Sequence, residues 1–276
     1  MPRSTVARNA TKYRGEMIGA SIAFSPETAI IALMTVGIYG LGRFGTFWAE
    51  LLSRSVSVCA YSRSADRTAP AGVRRVGEDE LLSQPVIMLC VAISAVEEVL
   101  LRMRGRLSPG VMVMDTCSVK TYPVELMRRL LPESASILGT HPMFGPDSAR
   151  GGVQGLPMIL CPARTAAKET ERWREFFSGL GLAVSVMSPD DHDREAAFTQ
   201  GVAHYVGRVL ADLGVRRSAI GTMGYNKLLE VMEQTCNDPW QLFLDLQRFN
   251  PYTREMRAKL EHSIRSIMSA IDASPE

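Results

Sequence analysis

The chain has 276 residues, 46% apolar and 22% charged, with a formal net charge of +2. That length can bury a substantial core in one or two domains, and so small a net charge gives no basic field for nucleic acid. Cys59, Cys90, Cys117, Cys161 and Cys236 form no C-x-x-C pair and read as free thiols in a reducing cytoplasm, while no apolar run reaches the roughly 18 to 20 residues of a bilayer span, which argues against a membrane protein.

Residues 1–33, opening MPRSTVARNATKYRGEMIG, are rich in Arg, Ser and Thr, poor in acids and without periodicity. Met34 stands one residue before the first strand, so the segment reads as an extension upstream of the true start. Its composition also suits a transit peptide, which would place the protein in a plastid rather than the cytoplasm. From Thr35, short β-branched runs alternate with amphipathic stretches, the pattern of βαβ units and a parallel sheet. TVGIY is the first strand, followed by a helix over 43–53. VSVCAY, PVIMLCVA, GVMVMD and SILGTH are further strands, and SAVEEVLLRMRGRL and VKTYPVELMRRLL carry apolar residues at helical spacing. LPMILCP, a helix in AKETERWREFFSGL and the strand LAVSVM close this layer near Met187.

In SPDD the character changes: Ser188 predicts an N-cap, Pro189 the first helical position, and the acids a first turn. Onward to Asp272 the patterns are helical, broken at Gly214, Gly221, Gly224, Pro239 and Pro251. The predicted fold is therefore α/β, with a Rossmann-type dinucleotide-binding domain over 34–187 followed by an all-helical C-terminal domain over 188–276.

A G-x-G-x-x-G match alone is weak, but in GIYGLGRFG the glycines Gly40, Gly42 and Gly45 follow a strand and open a helix. There the first glycine permits the turn, the second the approach of a pyrophosphate and the third close helix packing. Backbone N–H groups across Gly40, Leu41, Gly42, Arg43, Phe44 and Gly45 would hold the phosphates. Cys90 and Ala92, where PVIMLCVA ends, and Met143 are also placed against the cofactor. After the second strand an NAD-binding chain carries an acid, whereas AYSRSADR puts Ser62, Arg63 and Ser64 there. An arginine between two hydroxyls suits a 2′-phosphate, so the expected cofactor is NADP.

Ligands of open parallel sheets sit beyond the carboxyl ends of the strands. MDTCSVK places Ser118 after one strand and LGTHPMFGPDS places His141 after the next. Neighbouring strand ends could bring this hydroxyl and imidazole together, and a histidine is the natural proton acceptor when a hydroxyl-bearing carbon gives up hydride.

The set GIYGLGRFG, AYSRS, DTCSVK, THPMFGPDS, HDREAAFTQGVAH and GYNKLLEVMEQTCNDPWQLFLDLQRFNP resembles the prephenate and arogenate dehydrogenases of tyrosine biosynthesis, in particular the NADP-dependent arogenate type, from Thr35 to about Ile271. The resemblance implies that His141 takes the proton of the ring 4-hydroxyl while the ring carbon passes hydride to the nicotinamide and loss of CO2 aromatises the ring. It implies that Ser118 holds His141 and that hydroxyl in line, that His204 binds substrate near the ring, and that the C-terminal helices pair two copies into a homodimer. No metal-ligand cluster is found in the sequence.

His192, Asp193, Gln200 and His204 are read on one helix, with Asp193, Gln200 and His204 facing the cleft and His192 on a capping face. Many prephenate-using members carry S-H-x-P-H here and an arginine that grips a substrate carboxylate. This chain has Gln200 and Gly201 in place of the first Ser-His, and Glu233 where alignment on the NDP turn puts that arginine. Acids near the cleft, Glu233 or Asp193, would favour the ammonium of arogenate by Coulomb attraction. Prephenate and an amino-substituted prephenate are the competing substrates. A non-catalytic NADP-binding sensor is the competing class, against which the intact Ser118 and His141 argue.

Overall fold

The computed structural model describes residues 29–274. Residues 1–28, with the transit-peptide and alternative-start readings that depend on them, lie outside the described residues. Ala29–Ala32 forms a helical turn, α1, whose Ile31 is buried in the core. The folded layer thus begins a few residues ahead of Met34.

The chain continues through β1 (Thr35–Tyr39), α2 (Arg43–Ser53), β2 (Ser57–Tyr61), β3 (Val73–Arg75), α3 (Glu78–Leu82) and β4 (Val86–Leu89). A 3₁₀ turn at Ile93–Ala95 leads into α4 (Val96–Met103), β5 (Met112–Asp115), α5 (Thr121–Leu130) and β6 (Ser136–Pro142). β7 (Pro157–Arg164), α6 (Ala167–Gly179) and β8 (Ala183–Val186) complete one sheet ordered β3-β2-β1-β4-β5-β6-β7-β8. Pairing is parallel from β3 to β6, antiparallel between β6 and β7, and parallel again between β7 and β8. The fully parallel sheet expected from sequence is corrected at β7, because residues 143–156 carry no crossover helix and return the chain antiparallel. The short polar strand VRR of β3 has no apolar alternation to mark it in the sequence; pairing of Val73 with Val58 holds it at the sheet edge.

One face of the sheet is covered by α2 and α6, whose Trp48, Trp173, Phe176 and Phe177 are essentially inaccessible. Each such side chain contributes on the order of 1.5–3 kcal/mol by leaving water. Trp48 stacks on Phe44 at 5.8 Å and packs against Phe177 at 5.9 Å, which anchors the start of α2 to the core. The other face is covered by α3, α4 and α5 through Leu82, Leu100, Met103 and Met127.

The helical part comprises α7 (Pro189–Phe198), α8 (Gln200–Asp212), α9 (Met223–Cys236), α10 (Trp240–Phe249) and α11 (Thr253–Asp272). Ser188 caps α7 by accepting from Asp191 N, with Pro189 in the first turn, as the sequence predicts. A Cβ on Gly207 would lie 2.1 Å from Thr235 Oγ1, so α8 and α9 cross with their backbones close together. Thr199, at φ −112° and ψ −87°, separates α7 from α8. The single helix expected to carry His192, Asp193, Gln200 and His204 is therefore two. Asp245 of α10, buried, accepts from Ser94 N at 3.0 Å and Ser94 Oγ at 2.8 Å, which ties the helical part to the turn after β4.

Candidate active site

A cleft of about 580 Å³ lies between the carboxyl ends of the strands and α8 to α10, within the range that holds a small ligand. Its floor is the glycine loop. Gly40 has φ 114°, and a Cβ there would come 2.4 Å from Cys90 O; a Cβ on Gly45 would come 2.0 Å from Gly40 O. These two glycines let α2 pack onto the β1 and β4 ends. Gly42 differs, since its Cβ would meet nothing within 4 Å and as N-cap of α2 it has no side-chain cap. The open space over the helix start is a cradle that a methyl group would fill, which fits the phosphates of a dinucleotide held by N–H groups and the helix dipole.

Gly42, Arg43, Phe44, Gly45, Cys90 and Ala92 line the cleft, as does Met143. Burial pushes the Cys90 thiol up to about 12, so it supplies bulk rather than a nucleophile. Gly40 and Leu41 sit behind this lining, Gly40 N donating to Tyr61 O at 2.8 Å and the Leu41 side chain facing the core; a contact from Leu41 would have to come from its backbone. Ser62, Arg63 and Ser64 lie beyond the β2 end, outside the main cleft. Arg63 forms an exposed pair with Glu98 at 2.8 Å, and Arg75, which no sequence motif marks, donates to the carbonyls of Ser62 and Ser64.

β5 and β6 are neighbours, so Ser118 and His141 do meet at one cleft. Their expected link is corrected. Ser118 makes no side-chain hydrogen bond among the described residues, whereas His141 Nδ1 lies 2.8 Å from His192 Nε2. His192 Nδ1 lies 2.8 Å from Asp193 Oδ1. Behind them Lys120 pairs with Asp115, both fully buried, and donates to Thr140 O at 2.5 Å, which pins the strand beside His141. His141 is 2% exposed. Burial first, then electrostatic interaction with His192, Lys120 and His204, hold it well below the usual imidazole value, so the ring is neutral at physiological pH.

Gln200 and His204 also line the cleft, and Gln200 Oε1 and His204 Nδ1 are buried without a partner. Polar atoms left unpaired at a cleft wall are what a polar ligand would satisfy. Burial, with the Arg208 charge second, pushes His204 down to about 4. The two acids expected to face substrate are corrected. Asp193 is fully buried and accepts from Lys120 N at 2.7 Å and Thr121 N at 2.9 Å, which directs it into the α5 start instead of the cleft. Glu233 is exposed on the outer face of α9, paired with Arg217 at 2.9 Å. Three other acids, Asp147, Asp238 and Asp245, do line the cleft; Asp238 lies five residues beyond Glu233 in the NDP turn, where Arg43 Nη1 donates to it at 3.2 Å. Burial raises its carboxyl above the usual value while Arg43 opposes the rise. Its signal in the sequence was the NDP turn itself, a break between helices at the mouth of the cleft.

A phosphate cradle, a buried imidazole at an adjacent strand end and a helical cap define a nicotinamide-nucleotide-dependent dehydrogenase. Residues 53–186 match the family described as prephenate dehydrogenase, nucleotide-binding domain, and residues 209–275 match the TYRAAT1-like, C-terminal domain. Arogenate dehydrogenase 2, chloroplastic, of Arabidopsis thaliana is 35% identical over 246 residues, which cover 85% of this chain and 69% of that protein. Arogenate dehydrogenase 1, chloroplastic, of the same plant is 32% identical over 86% of this chain, which spans only 39% of its length. Prephenate dehydrogenase from A. aeolicus, solved with hydroxyphenyl propionate and NAD+, shares the fold with a TM-score of 0.69 at 19% identity, covering 87% of this chain and 91% of that one. Synechocystis arogenate dehydrogenase does so with a TM-score of 0.65 at 20% identity, covering 87% and 92%. The chain belongs to the prephenate and arogenate dehydrogenase family. Among the described residues no helix is long and apolar enough to cross a membrane, and no group of three or more His, Cys, Asp or Glu could hold a metal ion.

Proposed function

We propose that this chain converts L-arogenate to L-tyrosine by oxidative decarboxylation linked to NADP. The observation that carries this reading is a buried, neutral His141 at the cleft shared by the glycine cradle and the helical cap, with Gln200 Oε1 and His204 Nδ1 unpaired on the same walls. A bound nicotinamide supplies the hydride acceptor. His141 Nε2 takes the hydroxyl proton as the carbinol C–H bond breaks, Ser118 holds the same hydroxyl, and release of CO2 leaves an aromatic ring. Holding the O–H toward the imidazole accounts for much of the barrier lowering.

Arogenate carries an ammonium where prephenate carries a keto group, and Asp238, one of three aspartates on the cleft wall, is the carboxylate assigned here to receive it. Its partner Arg43 also pairs with Asp147, so Asp238 shares that cation rather than neutralising it alone. The likeness to arogenate dehydrogenases of plants points the same way. For the cofactor, Arg63 stands between Ser62 and Ser64 just after β2, and Arg75 at the end of the neighbouring β3 donates to the carbonyls of both serines. The exposed Arg63–Glu98 pair holds weakly and is readily exchanged for a 2′-phosphate.

In this reading residues 34–187 hold the nucleotide, and residues 188–276 close over the substrate and pair with a second copy. The exposed row Ile264, Ile267, Met268 and Ile271 on α11 gives such a copy an apolar face to cover. Five free thiols suit a reducing compartment such as the cytoplasm. Steady-state rates with arogenate and prephenate, each against NADP and NAD, test the proposal. Arogenate with NADP is expected to give the highest kcat/KM; faster turnover of prephenate, or none on either substrate, would overturn it.

A further inference from the structure

We propose that His192 and Asp193 are positioning residues that fix the tautomer of His141, so that the lone pair of Nε2 faces the substrate hydroxyl. The inference rests on the reading of His141 as proton acceptor and adds how that state is held.

The chain of contacts starts at a carboxylate. Asp193 has no exposed surface and already accepts from two main-chain donors, Lys120 N at Oδ1 and Thr121 N at Oδ2. Such a carboxylate offers lone pairs and no hydrogen, so His192 Nδ1, 2.8 Å from Oδ1, carries the hydrogen of that contact. His192 Nε2 lies 2.8 Å from His141 Nδ1, and one of the two must donate. With its one ring hydrogen on Nδ1, His192 presents a lone pair at Nε2, and His141 donates from Nδ1. The remaining nitrogen of His141, Nε2, then has a lone pair. The opposite arrangement, with Nε2–H of His192 donating, forces the hydrogen of His141 onto its own Nε2, and an N–H cannot accept a proton. Base action at Nε2 is thus compatible with only one direction of this chain.

The same chain serves the reaction step. As the substrate O–H bond breaks and an N–H bond forms at His141 Nε2, the new positive charge faces the His192 lone pair, with the Asp193 carboxylate one ring further on. No proton need leave the relay for the step to balance. Three elements supply the parts: β6 carries His141, α7 carries His192 and Asp193, and the start of α5 anchors Asp193. The base is therefore oriented only while the first helix of the cap is seated on the sheet. A carboxylate that orients a histidine through a second ring follows the logic by which outer partners set the tautomer of catalytic histidines.

The competing explanation is structural: Asp193 merely caps α5 and His192 merely fills space. The chain has four histidines, so ¹⁵N spectra of imidazole-labelled full-length protein at about pH 7.5 can resolve each tautomer. Both His141 and His192 are expected to carry hydrogen on Nδ1 and none on Nε2. His192→Leu is expected to lower kcat by about 100-fold or more, with substrate KM and the NADP Kd within about twofold of wild type. His192→Gln keeps an acceptor oxygen near the position of Nε2 and is expected to recover about tenfold of that loss. Hydrogen on Nε2 of His141, or a folded His192→Leu protein with wild-type kcat, would overturn the proposal. Equal losses in the Leu and Gln variants, in step with thermal stability, would overturn it in favour of the structural role. If His192→Leu does not fold, the wild-type spectrum decides. A fully active His141→Asn enzyme would instead refute the proton-acceptor reading, so the two failures are distinguishable.

Discussion

Replacing Gly42 and Gly45 separately by alanine should split cofactor binding from folding. Gly42 has φ −72°, which any residue adopts, and its added Cβ meets nothing within 4 Å. Loss of a glycine N-cap to alanine costs about 1 kcal/mol or less, so Gly42→Ala should melt within about 2–4 °C of wild type. That methyl group nevertheless occupies the space where phosphate oxygens would approach the N–H groups of α2. Losing one to two charge-assisted hydrogen bonds, each worth about 1.5–3 kcal/mol, weakens NADP by about 100-fold. Gly45→Ala should do the reverse, because its Cβ falls 2.0 Å from the Gly40 carbonyl oxygen, a backbone atom that cannot swing aside. Overpacking of this kind costs on the order of 1–3 kcal/mol or more, a fall of several degrees in Tm. Thermal unfolding without ligand, beside titration of NADPH fluorescence, reads both. Wild-type NADP affinity in Gly42→Ala would refute the cradle.

Three further outcomes are expected. Asp238→Asn should lower kcat/KM for arogenate about tenfold and raise it for prephenate, because an ion pair near 4 Å is worth about 4 kcal/mol before partial exposure screens it; an unchanged ratio in paired assays removes Asp238 from substrate choice. His204 is held down near 4 against 6.5 when unfolded, so the unfolded chain binds more protons as pH falls through this window and stability declines. Urea denaturation should show wild type losing about 2 kcal/mol more than His204→Gln between pH 7.5 and pH 5, and equal losses would contradict the buried neutral ring. Light scattering at micromolar concentration should give twice the chain mass; a monomer would reject pairing through α11.

The nucleotide-binding layer was legible because its strands are continuous apolar runs and its phosphate loop is spelled in glycines whose backbone demands are local. His141 and Ser118 followed from a rule about strand ends, which needs only strand order. What failed was everything set by a neighbour distant in sequence. Asp193 and Gln200 are seven apart and would share a face on an unbroken helix, but Thr199 ends α7, and the main-chain donors at Lys120 and Thr121 draw Asp193 away from the cleft. Glu233 and Asp238 are both acids beside one turn, and only the folded chain separates them, with Asp238 on the cleft wall and Glu233 outside it against Arg217. His192 read as a capping residue because nothing in the sequence announces that its ring reaches His141 across the boundary between the layers. β3 is silent in the sequence for a related reason, since three residues with two arginines become a strand only by pairing with β2.

The proposed catalysis turns on a proton leaving the substrate hydroxyl for residue 141. His141→Asn keeps a side chain of similar polarity but removes the basic nitrogen, so turnover of arogenate should fall by about 10²- to 10⁴-fold while the NADP Kd stays within about twofold of wild type. A variant that binds NADP and retains turnover within tenfold of wild type would contradict the proposed chemistry.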